Sequence, residues 1–264
     1  MTYLKKFKAI FTLAIIALSF SNLNAQALFN MQNISASMGA EQEILRGLSA
    51  KSITEQVRGD LNFDYDNMEF GKEDIYSMAC ENPTFRIGTT IPVKGTGLSL
   101  YLGVNAIWDR YDGAFYQSGQ GEDRSTLHFE SRSNEVSLET SLLKKIELPL
   151  FNVYVGAGTN VGYSFGGVAN ISGNNVKMTE AGDIKKGETP GEVMNTIEHF
   201  YDSYQLKNSL HQRVFLQGGV GVRIFNRLEL GLEGKFGYGY RLTRGTKVQG
   251  TELTSVGANV KFLF

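Results

Sequence analysis

The chain of 264 residues carries 26 Lys and Arg against 27 Asp and Glu, a formal net charge of -1. So even a balance gives no electrostatic case for nucleic acid or another polyanion as partner. A single cysteine, Cys80, excludes an intramolecular disulfide, and 30 glycines beside only four prolines point to glycine-rich β structure.

The amino terminus reads as an export signal. Lys5, Lys6 and Lys8 are followed by an apolar run from Ala9 to Phe20, short of the ~20 residues a spanning helix needs. Ala25-Gln26-Ala27 then supplies a small-residue cleavage site. Residues 1–25 are therefore expected as a signal peptide, with cleavage after Ala25 or Ala27. Residues 26–56 carry no motif and no assigned role. Ile34 to Ala40 does alternate, and competes for the place of the first strand with Leu61, Phe63 and Tyr65, which alternate with Asn62 and Asp64.

From there period-two alternation recurs, the signature of a strand with one apolar face. Phe85, Ile87, Thr89, Ile91 and Val93 lead through Lys94-Gly95-Thr96-Gly97 into Leu98, Leu100, Leu102, Val104, Ala106 and Trp108. Val136, Leu138, Thr140 and Leu142 follow. Next come Phe151, Val153, Val155, Ala157, Val161, Tyr163 and Phe165. In Val214 to Ile224, the apolar Val214, Leu216, Val220, Val222 and Ile224 oppose Gln217 and Arg223. Leu228, Leu230, Leu232, Phe236, Tyr238 and Tyr240 oppose Glu229, Glu233, Lys235 and Arg241. The chain ends on Thr254, Val256, Ala258, Val260, Phe262 and Phe264, opposed by Ser255, Gly257, Asn259 and Lys261.

The connections alternate in length. Short ones fall near 94–97, 143–150 and 225–227, long ones near 67–83, 111–133, 167–210 and 243–251. Short periplasmic turns and longer extracellular loops are the pattern of bacterial outer-membrane barrels. Aromatics collect at both ends of the strands: Phe151, Phe225 and Phe264 at one, Trp108, Tyr111, Tyr163, Phe165, Tyr238 and Tyr240 at the other. In the third long loop, Thr189-Pro190-Gly191-Glu192 has the form of a helix start. Val193, Ile197, Phe200 and Tyr204 then recur at helical spacing. A helix over about 192–208 is expected, docked through Ile197, Phe200 and Tyr204 on the barrel rim, or serving as a lid or partner-docking surface.

The expected fold is thus all-β: a transmembrane antiparallel up-and-down barrel of about eight strands over 57–264, with one helix in an extracellular loop. The signal peptide, the strand and loop rhythm and the terminal Val260-Lys261-Phe262-Leu263-Phe264 resemble the small outer-membrane β-barrel proteins of Gram-negative bacteria, in the manner of Bacteroidota PorT-type proteins. The resemblance implies residence in the cell outer membrane among its lipids, and recognition of Phe264 by the barrel-assembly machinery. It implies a structural or interaction role, with accessory work in secretion or assembly as one form of it and an unknown protein as partner.

Chemical motifs are sparse. Gly156, Gly158 and Gly162 superficially suggest a dinucleotide loop, but the third glycine is one position late and alternation continues through Tyr163 and Phe165, so no helix opens. Arg86, Glu139, Arg223, Glu229, Glu233, Lys235, Arg241 and Lys261 fall on the inward faces. They read as a salt-bridged polar filling or as the lining of a narrow solute path. His128, His199 and His211 lack metal spacing. His199 with Asp202 and Ser203 is proximity without a motif, and Arg58-Gly59-Asp60 is a tripeptide that arises often by chance. The leading expectation is a non-enzymatic barrel without cofactor or metal, its function carried by the extracellular loops. A narrow transporter for small solutes or hydrophobic molecules, and a membrane-embedded lipid enzyme, are the alternatives.

Overall fold

The computed structural model describes residues 31–46, 52–53, 55–59, 75–78, 80–118, 125–148, 150–177, 196–225 and 227–264. Ten strands occur among them: β1 (Asn33–Arg46), β2 (Ile75–Met78), β3 (Cys80–Val93), β4 (Leu98–Ser118), β5 (Ser125–Glu147), β6 (Phe151–Lys177), β7 (Thr196–Gln205), β8 (Ser209–Phe225), β9 (Leu228–Thr243) and β10 (Gln249–Leu263). Eight of them close a ring, each antiparallel to both neighbours, in the order β1, β3, β4, β5, β6, β8, β9, β10 and back to β1. Closure removes every sheet edge, which is the condition for strands to cross a bilayer.

The first strand corrects the sequence-based expectation. β1 runs from Asn33, pairing with β10 from Asn33↔Leu263 to Arg46↔Gly250 and with β3 on its other side. The barrel therefore begins well before residue 57, and part of the segment without an assigned role is barrel wall. Leu61, Phe63 and Tyr65 lie outside the described residues, as do the export signal and the helix start at Thr189. Gln32 ties the two ends of the ring together, donating its amide to the Thr90 carbonyl (2.8 Å) and accepting from the Phe264 amide (3.1 Å).

The walls follow the alternation. Leu138, Leu216, Leu232 and Val256 are each at least 60 % exposed on the outer surface, while the residues between them turn inward. In water a continuous belt of such side chains around a charged interior would be untenable. It is the arrangement a bilayer requires, so this is a membrane-spanning barrel of the outer-membrane type. Trp108, Tyr163, Phe165, Tyr238 and Tyr240 are exposed together at the end away from the short turns, where amphipathic rings meet the headgroups.

Beyond that aromatic ring the molecule continues. About 9–11 residues suffice for a tilted transmembrane strand, but β4, β5 and β6 contain 21, 23 and 27. Much of the 111–133 and 167–210 segments, expected as loops, is strand. β2 pairs with the far part of β4 and β7 with that of β6, giving an outer sheet in the order β2, β4, β5, β6, β7. Register shifts mark where it leaves the barrel, between Ile107 and Arg110 on β4 and opposite Gly166 and Gly167 on β6. Asp109 there takes φ 57° and Gly166 φ 63°. Each extra residue exchanges the two faces of its strand.

The helix expected over 192–208 is not formed: Thr196–Gln205 is β7, in register from Val168↔Gln205 to Lys177↔Thr196. Phe200 and Tyr204, four apart, satisfy helical and strand periods alike, so their spacing could not choose. Both pack inward on a small apolar core of Leu45, Ile53, Val57, Leu127, Phe129 and Ile171. Ile197 pairs with Val176 farther out along the same strand.

Candidate functional site in the barrel lumen

The lumen is filled by side chains arranged in three tiers. Nearest the short turns, on β9, Glu229 accepts from Lys261 (3.0 Å), Lys145 (3.4 Å) and the Asn152 amide (2.6 Å). In the middle, Arg86 on β3 donates to Glu139 on β5 (2.9 Å), to Glu233 on β9 and to Ser37 Oγ on β1 (3.1 Å). Lys235 donates to Glu139 (2.5 Å), and Tyr154 Oη to Glu233 (2.8 Å). Two cations and two carboxylates thus close a neutral set across the lumen.

Rings lie beneath the cations of this region. Arg86 stacks 5.3 Å above Tyr101, and Lys261 4.4 Å above Tyr154. Glycine makes room for them: a Cβ at Gly88, or at its cross-strand partner Gly103, would collide with the Tyr101 ring. Inward glycines here serve side chains that cross the lumen.

The outer tier is the largest and contains no water-exposed charge. Glu43 on β1 accepts from three guanidiniums, those of Arg213 (2.8 Å), Arg241 (3.1 Å) and Arg110. Glu135 on β5 accepts from Arg110 (2.8 Å) and Arg213 (3.0 Å) and stands 3.0 Å from His211 Nε2. Asp112 joins Arg110 (3.2 Å) to Arg241 (3.0 Å), and Glu41 lies 3.4 Å from Arg213. Arg110 and Arg213 are wholly buried. Isolated charges in such surroundings would cost several kcal/mol each; reciprocal, bidentate pairing offsets that cost. Four carboxylates meet three guanidiniums here, with His211 as the remaining titratable group.

Seven of the eight charges expected to face inward are thereby in the lumen. Arg223 is the exception: its side chain is exposed at the inner rim, 3.9 Å from Glu147. The outer tier was almost wholly missed, apart from Arg241. Glu41 and Glu43 lie in β1 beyond the alternation of Ile34 to Ala40, and Arg110, Asp112, Glu135 and Arg213 lie just outside the apolar alternation of their strands. The available signal was polar alternation, Glu41-Gln42-Glu43 and Arg110-Tyr111-Asp112, continuing beyond the aromatic ring.

The mouth above this tier is covered. Ile53 and Val57, from the connection after β1, are buried in the apolar core of the outer sheet. They are held by Lys207 donating its amide to the Gln56 carbonyl (2.8 Å) and Arg58 to that of Gln205 (2.7 Å). Three internal spaces are small: about 30 Å³ beside Arg86 and Tyr101, about 20 Å³ near Glu41 and Lys235, and about 20 Å³ under Gln56 and Leu206 beside Asp112 and Arg241. Each is room for about one water molecule. A wider vestibule of about 410 Å³ opens at the inner end, lined by Lys145, Tyr154, Arg223 and Lys261.

Nothing in β7 assembles a hydrolytic triad. His199 and Ser203 are exposed, four residues apart and so about 13 Å along the strand, while Asp202 turns inward to accept from Tyr204 Oη (3.1 Å). Among the described residues no group of His, Cys, Asp and Glu forms a metal site.

No protein-family model matches the sequence, and no curated protein matches it. Solved structures of similar form include Neisserial surface protein A, 11 % identical, covering 88 % of this chain and 96 % of its own, with a TM-score of 0.39. The attachment invasion locus protein Ail of Yersinia pestis is 11 % identical over 88 % of this chain and 99 % of its own, TM-score 0.31. The outer membrane protease OmpT from Escherichia coli is 10 % identical over 89 % and 98 %, TM-score 0.42. The closed ring, apolar belt and charged lumen of the chain itself make it an outer-membrane β-barrel of eight strands.

Proposed function

We propose that this barrel is a non-conducting, non-enzymatic anchor, which holds its outer sheet at the cell surface as an interaction platform. The observation that carries this is the filling of the lumen. Every tier is cross-linked between strands, the outer tier lies under Ile53 and Val57, and three spaces between the side chains of the lumen are of single-water size. A solute path would need the Arg110–Glu43–Arg213 set to come apart, against the cost of unpairing buried charges. The outer sheet presents His199, Tyr201 and Ser203 of β7 to the exterior, where a partner can meet them.

The test is conductance. Purified full-length protein in planar bilayers should give no stable steps, where general porins pass ions through an open, water-filled lumen. Steady channels would overturn the anchor reading in favour of a narrow transporter. Turnover of phospholipid by the same preparation would overturn it in favour of a lipid enzyme. The export signal belongs to the same proposal: protein from outer membranes should begin at Gln26 or Leu28, the residues that follow the two candidate cleavage positions.

A further inference from the structure

We propose that the outer rim carries a binding site for the phosphate-bearing headgroup of an outer-leaflet lipid, between the barrel wall and the corner joining β7 to β8. Three outward residues in register form its floor: Tyr163 pairs with Leu210, and Leu210 with Leu242. All three are exposed at the level of the outer aromatic ring. Above this floor a groove of about 830 Å³ is overhung by Arg58, Lys207 and Arg244.

Ion pairing sets these three apart from Arg132 and Arg46, two other cations of the rim. Arg132 pairs with Asp109 (3.3 Å) and Arg46 with Glu252 (2.7 Å). Among the described residues no carboxylate pairs with Arg58, Lys207 or Arg244. Their contacts are to neutral groups: Lys207 Nζ donates to the Glu55 carbonyl (2.7 Å) and Arg58 to Asn208 Oδ1 (3.4 Å), while Asn208 Nδ2 donates to Tyr163 Oη (2.5 Å). The Asn208 bridge joins Arg58 to the floor, and these polar contacts hold the site in shape without pairing its cations to a carboxylate among the described residues.

Position identifies the occupant. An apolar wall below and cations above, at the height where the belt ends, match a molecule with acyl chains in the bilayer and an anionic head at its surface. A soluble anion would have no use for Leu210 and Leu242. A neutral lipid would leave the three cations unanswered. Guanidinium and ammonium groups together suit phosphate, one as a fork and the other as a point charge.

The experiment uses the full-length protein in phosphatidylcholine nanodiscs doped with diphosphoryl lipid A as the probe, with retained lipid read by native mass spectrometry. The wild-type barrel should retain the probe over phosphatidylcholine, and the triple variant R58Q/K207Q/R244Q should lose about tenfold to a hundredfold of that preference, since each cation near an anionic headgroup contributes about fivefold. Arg132→Gln, which removes a paired rim cation, should retain it fully. Fully dephosphorylated probe should bind no better to wild type than to the triple variant. Unchanged retention in the triple variant would overturn the proposal, as would equal retention of the dephosphorylated lipid. Displacement by millimolar inorganic phosphate would also overturn it, assigning the groove to a small soluble anion. Because the variants lie on the surface, their folding is checked by the unchanged gel mobility of the unheated barrel.

Discussion

The barrel wall and the outer sheet are built from the same strands and obey opposite rules. Below the aromatic ring, β4 turns Leu102 and Val104 outward and Tyr101, Asn105 and Ile107 inward; above it, Arg110, Asp112 and Ala114 are the buried residues. On β6 the buried side is Tyr154, Asn160 and Ser164 within the membrane and Ala169 and Ile171 beyond it. The solvent explains the reversal. In lipid the outside must be apolar, and polar groups are satisfied by one another in the lumen. In water the apolar residues have to go inside, where Leu127, Phe129 and Ile171 meet Ile53 and Phe200. The outer charge tier lies at the boundary, roofed by the apolar core of one regime and walled by the strands of the other.

If the lumen is held by paired charge, breaking one pair should have the largest effect. Glu43→Gln keeps the shape of the side chain but leaves Arg110, Arg213 and Arg241 around a neutral group. It should lower the unfolding free energy in lipid vesicles by about 3–5 kcal/mol, as measured by urea titration. The exposed Arg46–Glu252 pair supplies the contrast, since Arg46→Gln should leave the titration midpoint almost unmoved. Similar costs for the two would mean that water reaches the outer tier.

The outer core should fail differently. Ile171→Ala removes a wholly buried side chain and should cost about 2–5 kcal/mol, felt in the outer sheet while the barrel persists. The expected result on intact cells is faster proteolysis of the outer sheet, with the barrel still running as a folded band on unheated gels. Loss of both together would mean that the two regions unfold as one.

The lipid face gives a somewhat smaller effect. Val220 is 46 % exposed and Gln217, on the opposite face, 7 %. Val220→Arg should cost about 2–4 kcal/mol where it sits near the midplane, and Gln217→Asn less. Equal tolerance at the two positions in vesicle refolding would contradict the assignment of faces.

What the sequence made legible divides along the same line. β8, β9 and β10 are readable because lipid demands an apolar residue at every second position, and a tight turn joins the first two. The near halves of β4, β5 and β6 are readable for the same reason. The far halves are not, because water makes no such demand: His128, Glu130 and Arg132 alternate with Leu127, Phe129 and Ser131, but one apolar face broken by serine is a weak pattern. β1 was obscured because Ala36 and Ala40 are small, so its lipid face looks bland. Of the charges, those between apolar wall residues could be placed inside. Past the aromatic ring, Arg110 and Asp112 depend on the bulge of β4, while Glu41, Glu43, Glu135 and Arg213 lie on strands whose apolar alternation has already ended.

The bulge itself offers the smallest and most local test of the comparison. Asp109 holds φ 57°, a left-handed conformation that Asp tolerates and β-branched residues resist. It puts Arg110 inward where unbroken alternation from Trp108 would have turned it to lipid. Asp109→Gly should therefore be nearly neutral, and Asp109→Val should cost about 1–2 kcal/mol. Both variants lose the exposed contact with Arg132, so that contact cancels and their difference isolates the backbone. The valine variant should also loosen the outer sheet first, because the residues whose facing depends on the bulge are Arg110, Asp112 and Ala114. Amide exchange in β4 reads this directly. Faster exchange from 110 to 118 with 98–107 unchanged is the expected result. Equal exchange in the glycine and valine variants would mean that the face reversal does not depend on this residue.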